Sequence, residues 1–234
     1  MVPLYEMFVR SLLRRGRLIA LLGLGAVGII IGFAIGASST ADSIDDGTIM
    51  ITTYGLAVVV PVTTLLLASS VLGDPNEDGT FVYIWLRPIA RWQIAAAALA
   101  ASLTVALPLT VVPMVIAAGA TGGGNDLMRG TAAACILGTI AYTGVFTWLG
   151  LRVRRAVVWG LGYILIWEGF VARAGATPSR FAIRASTRSL LTRMGHGPER
   201  LISVSGPTAV LIPLIAAALG AALTIRRLHH QDVT

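Results

Sequence analysis

The sequence predicts an all-α integral membrane protein with six transmembrane helices, an N-terminal interfacial helix and a short amphipathic helix between spans two and three. Three observations carry that prediction. Only 12% of the residues are charged, against about 25% in a soluble domain, and the mean hydropathy is +0.80. Apolar runs recur along the chain, each near the ~20 residues that a bilayer core requires. One charged stretch interrupts them, Asp74 to Trp92, reading DPNEDGTFVYIWLRPIARW.

The whole chain, 1–234, reads as a single transmembrane domain. Residues 1–17 form its interfacial helix, 18–172 hold spans one to five, 173–206 are an outer segment, 207–225 the sixth span and 226–234 a tail. In the first segment Leu4, Phe8 and Leu12 share a face, with Tyr5 and Val9 beside them. Arg10, Arg14, Arg15 and Arg17 gather toward its end. This is the pattern of a helix lying in the membrane interface. A signal peptide is the alternative. Its apolar region is typically about 7–15 residues, whereas Leu18–Gly36 runs for 19, so a retained span is expected.

The six spans fall at about Leu18–Gly36, Ile49–Gly73, Ile94–Ala118, Thr131–Leu151, Ala156–Ala172 and Pro207–Ile225. An even number puts both termini on one side, and arginine bias chooses that side. With the termini inside, the inner segments carry 11 arginines and the outer ones seven, six of them between spans five and six. Without that one loop the ratio is 11 to 1. Cytoplasmic termini in the plasma (inner) membrane are therefore expected. Within the spans, Gly28, Gly32 and Gly36 repeat at GxxxGxxxG spacing, which lets backbones approach closely, within the chain or at a dimer seam. Pro61, Pro108, Pro113 and Pro213 each remove a helical hydrogen bond and invite a kink.

The six arginines of the outer segment include a row, Arg180, Arg184 and Arg188, at i, i+4 and i+8, beside an apolar row of Ile183, Leu190 and Met194. Two expectations stand: an amphipathic helix on the outer membrane surface, with arginines able to meet phosphate head groups or an anionic substrate, or a solvated loop. Glu168 is the acidic residue placed inside a span, near the outer end of the fifth. An intramembrane carboxylate is a functional candidate; one turn from the interface it also has a structural reading, reaching water or an outer arginine.

Several chemistries are excluded. All 18 basic residues are arginine, so the lysine of the phosphate-binding loop GxxxxGK[ST] is missing. Any ATP-driven work needs a nucleotide site on another chain. The +7 charge lies mainly beside apolar spans, where it sets orientation, and no nucleic-acid partner is expected. His196, His229 and His230 all fall outside the spans, which leaves neither a Ser-His dyad nor a metal site at membrane depth. Catalytic residues, metals and cofactors are expected to be none, and Cys135 stands alone in an apolar run.

The interruption itself carries the functional signal. Phe81, Trp85 and Ile89 recur at i, i+4 and i+8, the spacing of one helical face, with acidic residues before them and Arg87 and Arg91 on either side of Ile89. Glu77-Asp78-Gly79-Thr80-Phe81 followed by Leu86-Arg87-Pro88-Ile89-Ala90-Arg91 resembles the permease subunits of ABC type-2 exporters. Their pattern is an acidic residue, Gly-Thr-Leu, a few apolar residues, then Ser-Arg-Pro-(Ile/Val)-Ser-Arg. Leu165-Ile166-Trp167-Glu168-Gly169-Phe170 is similar to the Trp-Glu-Gly-Leu that often ends the family's fifth span. Phe81, Leu86 and Ala90 depart from the pattern, and the Gly-Lys that often follows is absent.

The resemblance implies a permease of an ATP-driven exporter, paired as a homo- or heterodimer with a second permease. Two copies of an ATP-binding subunit would hold ATP and Mg2+ below it. The helix over 77–91 would be the cytoplasmic coupling helix seated in that ATPase. Phe81, Trp85 and Ile89 would be its buried anchors and Glu77, Asp78, Arg87 and Arg91 its polar rim, with Gly79 and Pro88 in the same interface. The cargo implied is an amphiphile: drug, lipid, peptide or glycan precursor. A membrane scaffold, immunity or sensing component that recruits an ATPase without transporting is the competing expectation.

Overall fold

The computed structural model describes residues 2–38, 43–78, 90–170 and 182–230, and among them every regular element is helical. In chain order these are α1 (Val2–Leu12), α2 (Arg15–Ala37), α3 (Ser43–Met50), a π-helical stretch π1 (Ile51–Val59), α4 (Val60–Glu77), α5 (Arg91–Ala120), α6 (Gly124–Arg152), α7 (Ala156–Gly162), a second π stretch π2 (Tyr163–Phe170), α8 (Ile183–Met194), a single 3-10 turn (Glu199–Leu201) and α9 (Gly206–His230). Five helical stretches are long and apolar enough to cross a membrane: Arg15–Ala37, Ile44–Pro75, Arg91–Ala120, Gly124–Arg152 and Glu199–His230.

α1 follows from its spacing. Phe8 and Leu12, one turn apart, are each 1% exposed and pack with Ile94, Ala95 and Ala98 of α5. The Tyr5 hydroxyl bonds Thr104 Oγ1 at 3.0 Å. The chain breaks at Leu13 and Arg14, where Arg14 is extended, and α2 starts at Arg15. α2 then turns its glycines inward. A Cβ on Gly25 would press on Pro113 at 3.0 Å, and one on Gly32 would meet the backbone of Ala117. The Gly28–Gly32–Gly36 series is thus a seam with α5 inside the chain. Ile19, Leu22, Val27, Ile30 and Phe33 face outward, as apolar side chains do against lipid.

π1 ends next to Pro61. A proline ring clashes with the carbonyl four residues back and cannot donate to it; wide π turns at Ile51–Val59 absorb that misfit. No such break accompanies Pro108 and Pro113, which stay inside the 30-residue α5.

α6 is the hub, packing on α4, α5, α8 and α9. It meets α5 through a bond between the Thr110 and Thr139 hydroxyls at 2.9 Å. Glycines make the other crossings: Gly138 lies on Val60 and Thr187, Gly144 on Ala217 and Gly220, Gly150 on Ser69. These pairs also fix direction. α4, α6 and α9 run the same way, because contacts advance together along each chain; α8 runs against α6, with Thr187 at Gly138 and Leu191 at Gly130.

The outer segment differs from both readings of its sequence. Residues 183–194 are neither a solvated loop nor a helix lying on the bundle's end. α8 is packed between α6 and α9, with Ile183, Ala185, Ser186, Thr187, Ser189, Leu191 and Thr192 buried. Hydroxyl side chains tolerate that burial by bonding back one turn: Ser186 to the Ala182 carbonyl, Thr187 to Ile183, Ser189 to Ala185 and Thr192 to Arg188. In the fifth apolar run α7 and π2 form one continuous helical stretch, Ala156–Phe170, and α8 begins beside it, at Glu168; residues 171–181 between them lie outside the described residues.

Candidate functional site

Two places bring functional residues together: the arginine-rich end of the bundle around the interruption, and the break between π2 and α8.

At the arginine-rich end, the interruption is held at both flanks. α4 reaches it through Asp74, Glu77 and Asp78. Arg17 of α2 donates from Nη1 to Ser70 Oγ at 2.6 Å and from Nη2 to Asp74 Oδ2 at 3.2 Å; the arginine side chain is 22% exposed, so this pair is partly shielded from solvent. Glu77 Oε1 accepts the Arg155 backbone N–H at 2.6 Å. Arg155 has φ 58°, ψ 47°, a left-handed conformation costly for a residue with a Cβ, and that bond helps hold the tight turn from α6 into α7. Asp78 is exposed, its N–H closing the last turn on Asp74.

On the far flank, Arg91 opens α5. Its Nη1 donates to the Leu228 and His229 carbonyls at 2.7 and 2.9 Å. Those are unsatisfied carbonyls at the end of α9, where a cation is favoured. Arg91, assigned to the coupling rim by its sequence, therefore also ties α5 to α9. Gly79, Phe81, Trp85, Arg87, Pro88 and Ile89 lie outside the described residues, as does Arg180.

The second place is built around Glu168. Its carboxylate is 3% exposed. Oε1 accepts the Ile183 N–H at 3.2 Å and the Tyr163 hydroxyl at 3.4 Å; Oε2 accepts the Arg184 N–H at 3.1 Å. These two N–H groups open α8, whose own N-cap residue, Ala182, has no side chain able to cap. Glu168 caps α8 from another helix, placing a carboxylate at the positive end of the helix dipole. Tyr142 and Phe146 stack at 5.5 Å between ring centroids, and Tyr163 meets Phe146 edge-on at 6.2 Å, walling the carboxylate off.

Glu168 sits deeper than its sequence position implied. Thr187, one turn beyond Ile183, faces Gly138 at the midpoint of α6, so the carboxylate lies near the middle of the bundle's height. Arg184 reaches from there to the Thr52 carbonyl of π1 at 3.5 Å. Arg188 bonds Ser203 Oγ at 3.3 Å, and Arg193 the Val204 carbonyl at 3.1 Å. Arg184 and Arg188, read as a cargo- or lipid-facing row, are partly buried and turned onto the protein itself.

Sequence reasoning did not find this cap. Donor and acceptor segments are separated by 15 residues, with no capping residue at 182 to mark the helix start. A signal was present in the small and hydroxyl residues at 182, 185, 186 and 189, spaced for a packed rather than a solvated face.

The fold and site define an all-helical protein of membrane-spanning character. No protein-family model matches the chain, and no curated protein matches it at a significant level.

Proposed function

We propose that this chain is the permease subunit of an ATP-driven exporter. It works as one of two permease chains, with a separate ATP-binding subunit below each. The observation that carries this reading is the cross-tying around the interruption. The segment between Asp78 and Ala90 leaves α4 and returns to α5, and its flanks are joined to α2 by Asp74–Arg17, to the α6–α7 turn by Glu77–Arg155 and to α9 by Arg91. A push on that segment would reach every long helix. ATP and Mg2+ belong to the partner; this chain supplies the lever.

In this reading Phe81, Trp85 and Ile89 are the anchors in the ATPase groove, with Arg87 and Asp78 at the rim. α7–π2 and α8 together make the fifth crossing, α1 lies in the interface, and the termini are cytoplasmic in the plasma membrane. The arginine balance supports that orientation. Among the described arginines toward the opposite end, Arg200 pairs with Asp45 at 3.9 Å and Arg129 with Asp126 at 4.0 Å, while Arg184, Arg188 and Arg193 donate hydrogen bonds to the protein's own oxygens. Cargo is an amphiphile handled between the two permeases.

Trp85→Ala is expected to weaken retention of the ATPase on the purified permease by about 10- to 30-fold, the effect of removing a buried aromatic anchor of about 2 kcal/mol. The melting temperature of the permease alone should not change. Arg87→Glu should act the same way; Arg91 is a poor choice, because its loss would also free α9. ATPase retained by Trp85→Ala at wild-type level removes the coupling role.

A further inference from the structure

At the arginine-rich end, α6 and α9 form an open surface cavity of about 230 Å³ lined by Trp148, Arg152, Leu223, Arg226, Arg227 and His230. Its chemistry is one-sided. Three arginines converge there and, among the described residues, no carboxylate lines it. Among the described residues no ion pair reaches Arg152, Arg226 or Arg227. Arg227 Nε is fully buried without a hydrogen-bond partner, an unusual state for a guanidinium nitrogen. His230 Nδ1 lies 2.9 Å from the Arg226 carbonyl oxygen, which ties the ring to its own helix. Such an array suits a tetrahedral oxyanion, because guanidinium forks match phosphate oxygens.

A second observation points to the source of the phosphate. Leu211, Ile215, Leu219 and Leu223 follow at i, i+4, i+8 and i+12 along α9, and all are exposed, Leu219 at 57%. This apolar track ends in the cavity at Leu223. Trp148 stands at the same level, where indole rings favour the boundary between hydrocarbon and headgroup. A soluble phosphate would use the arginines and ignore the track. A phospholipid would use both.

We propose that Arg152, Arg226, Arg227 and His230 form a binding site for the phosphate of an anionic phospholipid, whose acyl chain lies along the Leu211–Leu223 face of α9. Each arginine approaches from one of the two helices, so the lipid bridges α6 to α9 next to the Arg91 tie. The site is independent of any ATPase partner.

The test uses the full-length protein, stripped of lipid in detergent and titrated with phosphatidylglycerol, phosphatidylcholine or inorganic phosphate while native mass spectrometry counts bound molecules. Phosphatidylglycerol is expected to bind at least about tenfold more tightly than phosphatidylcholine. Arg226→Gln with Arg227→Gln should weaken it by at least about tenfold, and Arg14→Gln with Arg15→Gln, at the same end but outside the cavity, should leave it unchanged. Should the first double variant fail to fold, Arg152→Gln makes the same comparison from α6. Equal phosphatidylglycerol affinity in wild type and cavity variants, or equal loss in the control pair, overturns the site. Displacement of the lipid by equimolar inorganic phosphate overturns the lipid assignment in favour of free phosphate.

Discussion

Glu168→Ala is expected to loosen α8 and lower the protein's melting temperature by roughly 6–12 °C. The carboxylate is the acceptor for the Ile183 and Arg184 N–H groups, and no side chain at Ala182 can replace it. Loss of a helix cap costs about 1 kcal/mol where water takes over. Here the freed N–H groups lie in a buried, aromatic-walled site, so the penalty rises to about 3 kcal/mol. For a chain of this size each kcal/mol moves the midpoint by roughly 2–4 °C. Glu168→Gln keeps one acceptor oxygen and should fall between alanine and wild type. Amide exchange locates the effect: protection at Ile183 and Arg184 should drop first, with α2 and α5 unaffected. Unchanged exchange at those two amides in Glu168→Ala contradicts the capping role.

The second large effect belongs to the crossing of α6 and α9. A Cβ on Gly220 would collide with the Gly144 carbonyl group and stand 2.7 Å from the Val145 nitrogen, and a Cβ on Gly144 would stand 2.6 Å from the Ala217 oxygen. All of these are backbone atoms, which cannot rotate away. Overpacking a core costs about 1–3 kcal/mol when side chains can adjust; Gly220→Ala should reach at least the top of that range, and Gly220→Val should abolish monodisperse protein in size-exclusion chromatography. Gly23 is the internal control. Nothing lies within 4 Å of a Cβ built there, so Gly23→Ala should be neutral or stabilise α2 by about 0.5–1 kcal/mol. Equal yields from Gly220→Val and Gly23→Ala would mean that the two helices do not cross at those glycines.

Short-range periodicity made much of this fold legible. Spacing alone puts Phe8 and Leu12 on one apolar face of α1, which the fold buries against α5, and the Gly28–Gly32–Gly36 series announces close packing. Long-range pairing was not legible. An apolar run from Ala156 reads as one span; Gly162 and Gly169 gave no warning that its helix widens into π turns over Tyr163–Phe170. The Arg91 tie and the Glu77–Arg155 bond join segments far apart in sequence, and both residues read as interface charges; Glu168 reads as an intramembrane carboxylate, but nothing near Ala182 names the helix start that it caps. The arginines between spans five and six illustrate the same limit. Counted as loop charge they oppose the orientation; turned onto carbonyls and hydroxyls, as Arg184, Arg188 and Arg193 are, they bear on it much less.

The exporter reading is tested most directly by purifying the chain from its native membrane in a gentle detergent and identifying what accompanies it. The expected result is an ATP-binding subunit at a two-to-two ratio with permease chains, released by Trp85→Ala and retained by Gly23→Ala. A permease that purifies at full yield with no nucleotide-hydrolysing partner, under conditions that keep α1 to α9 folded, contradicts it.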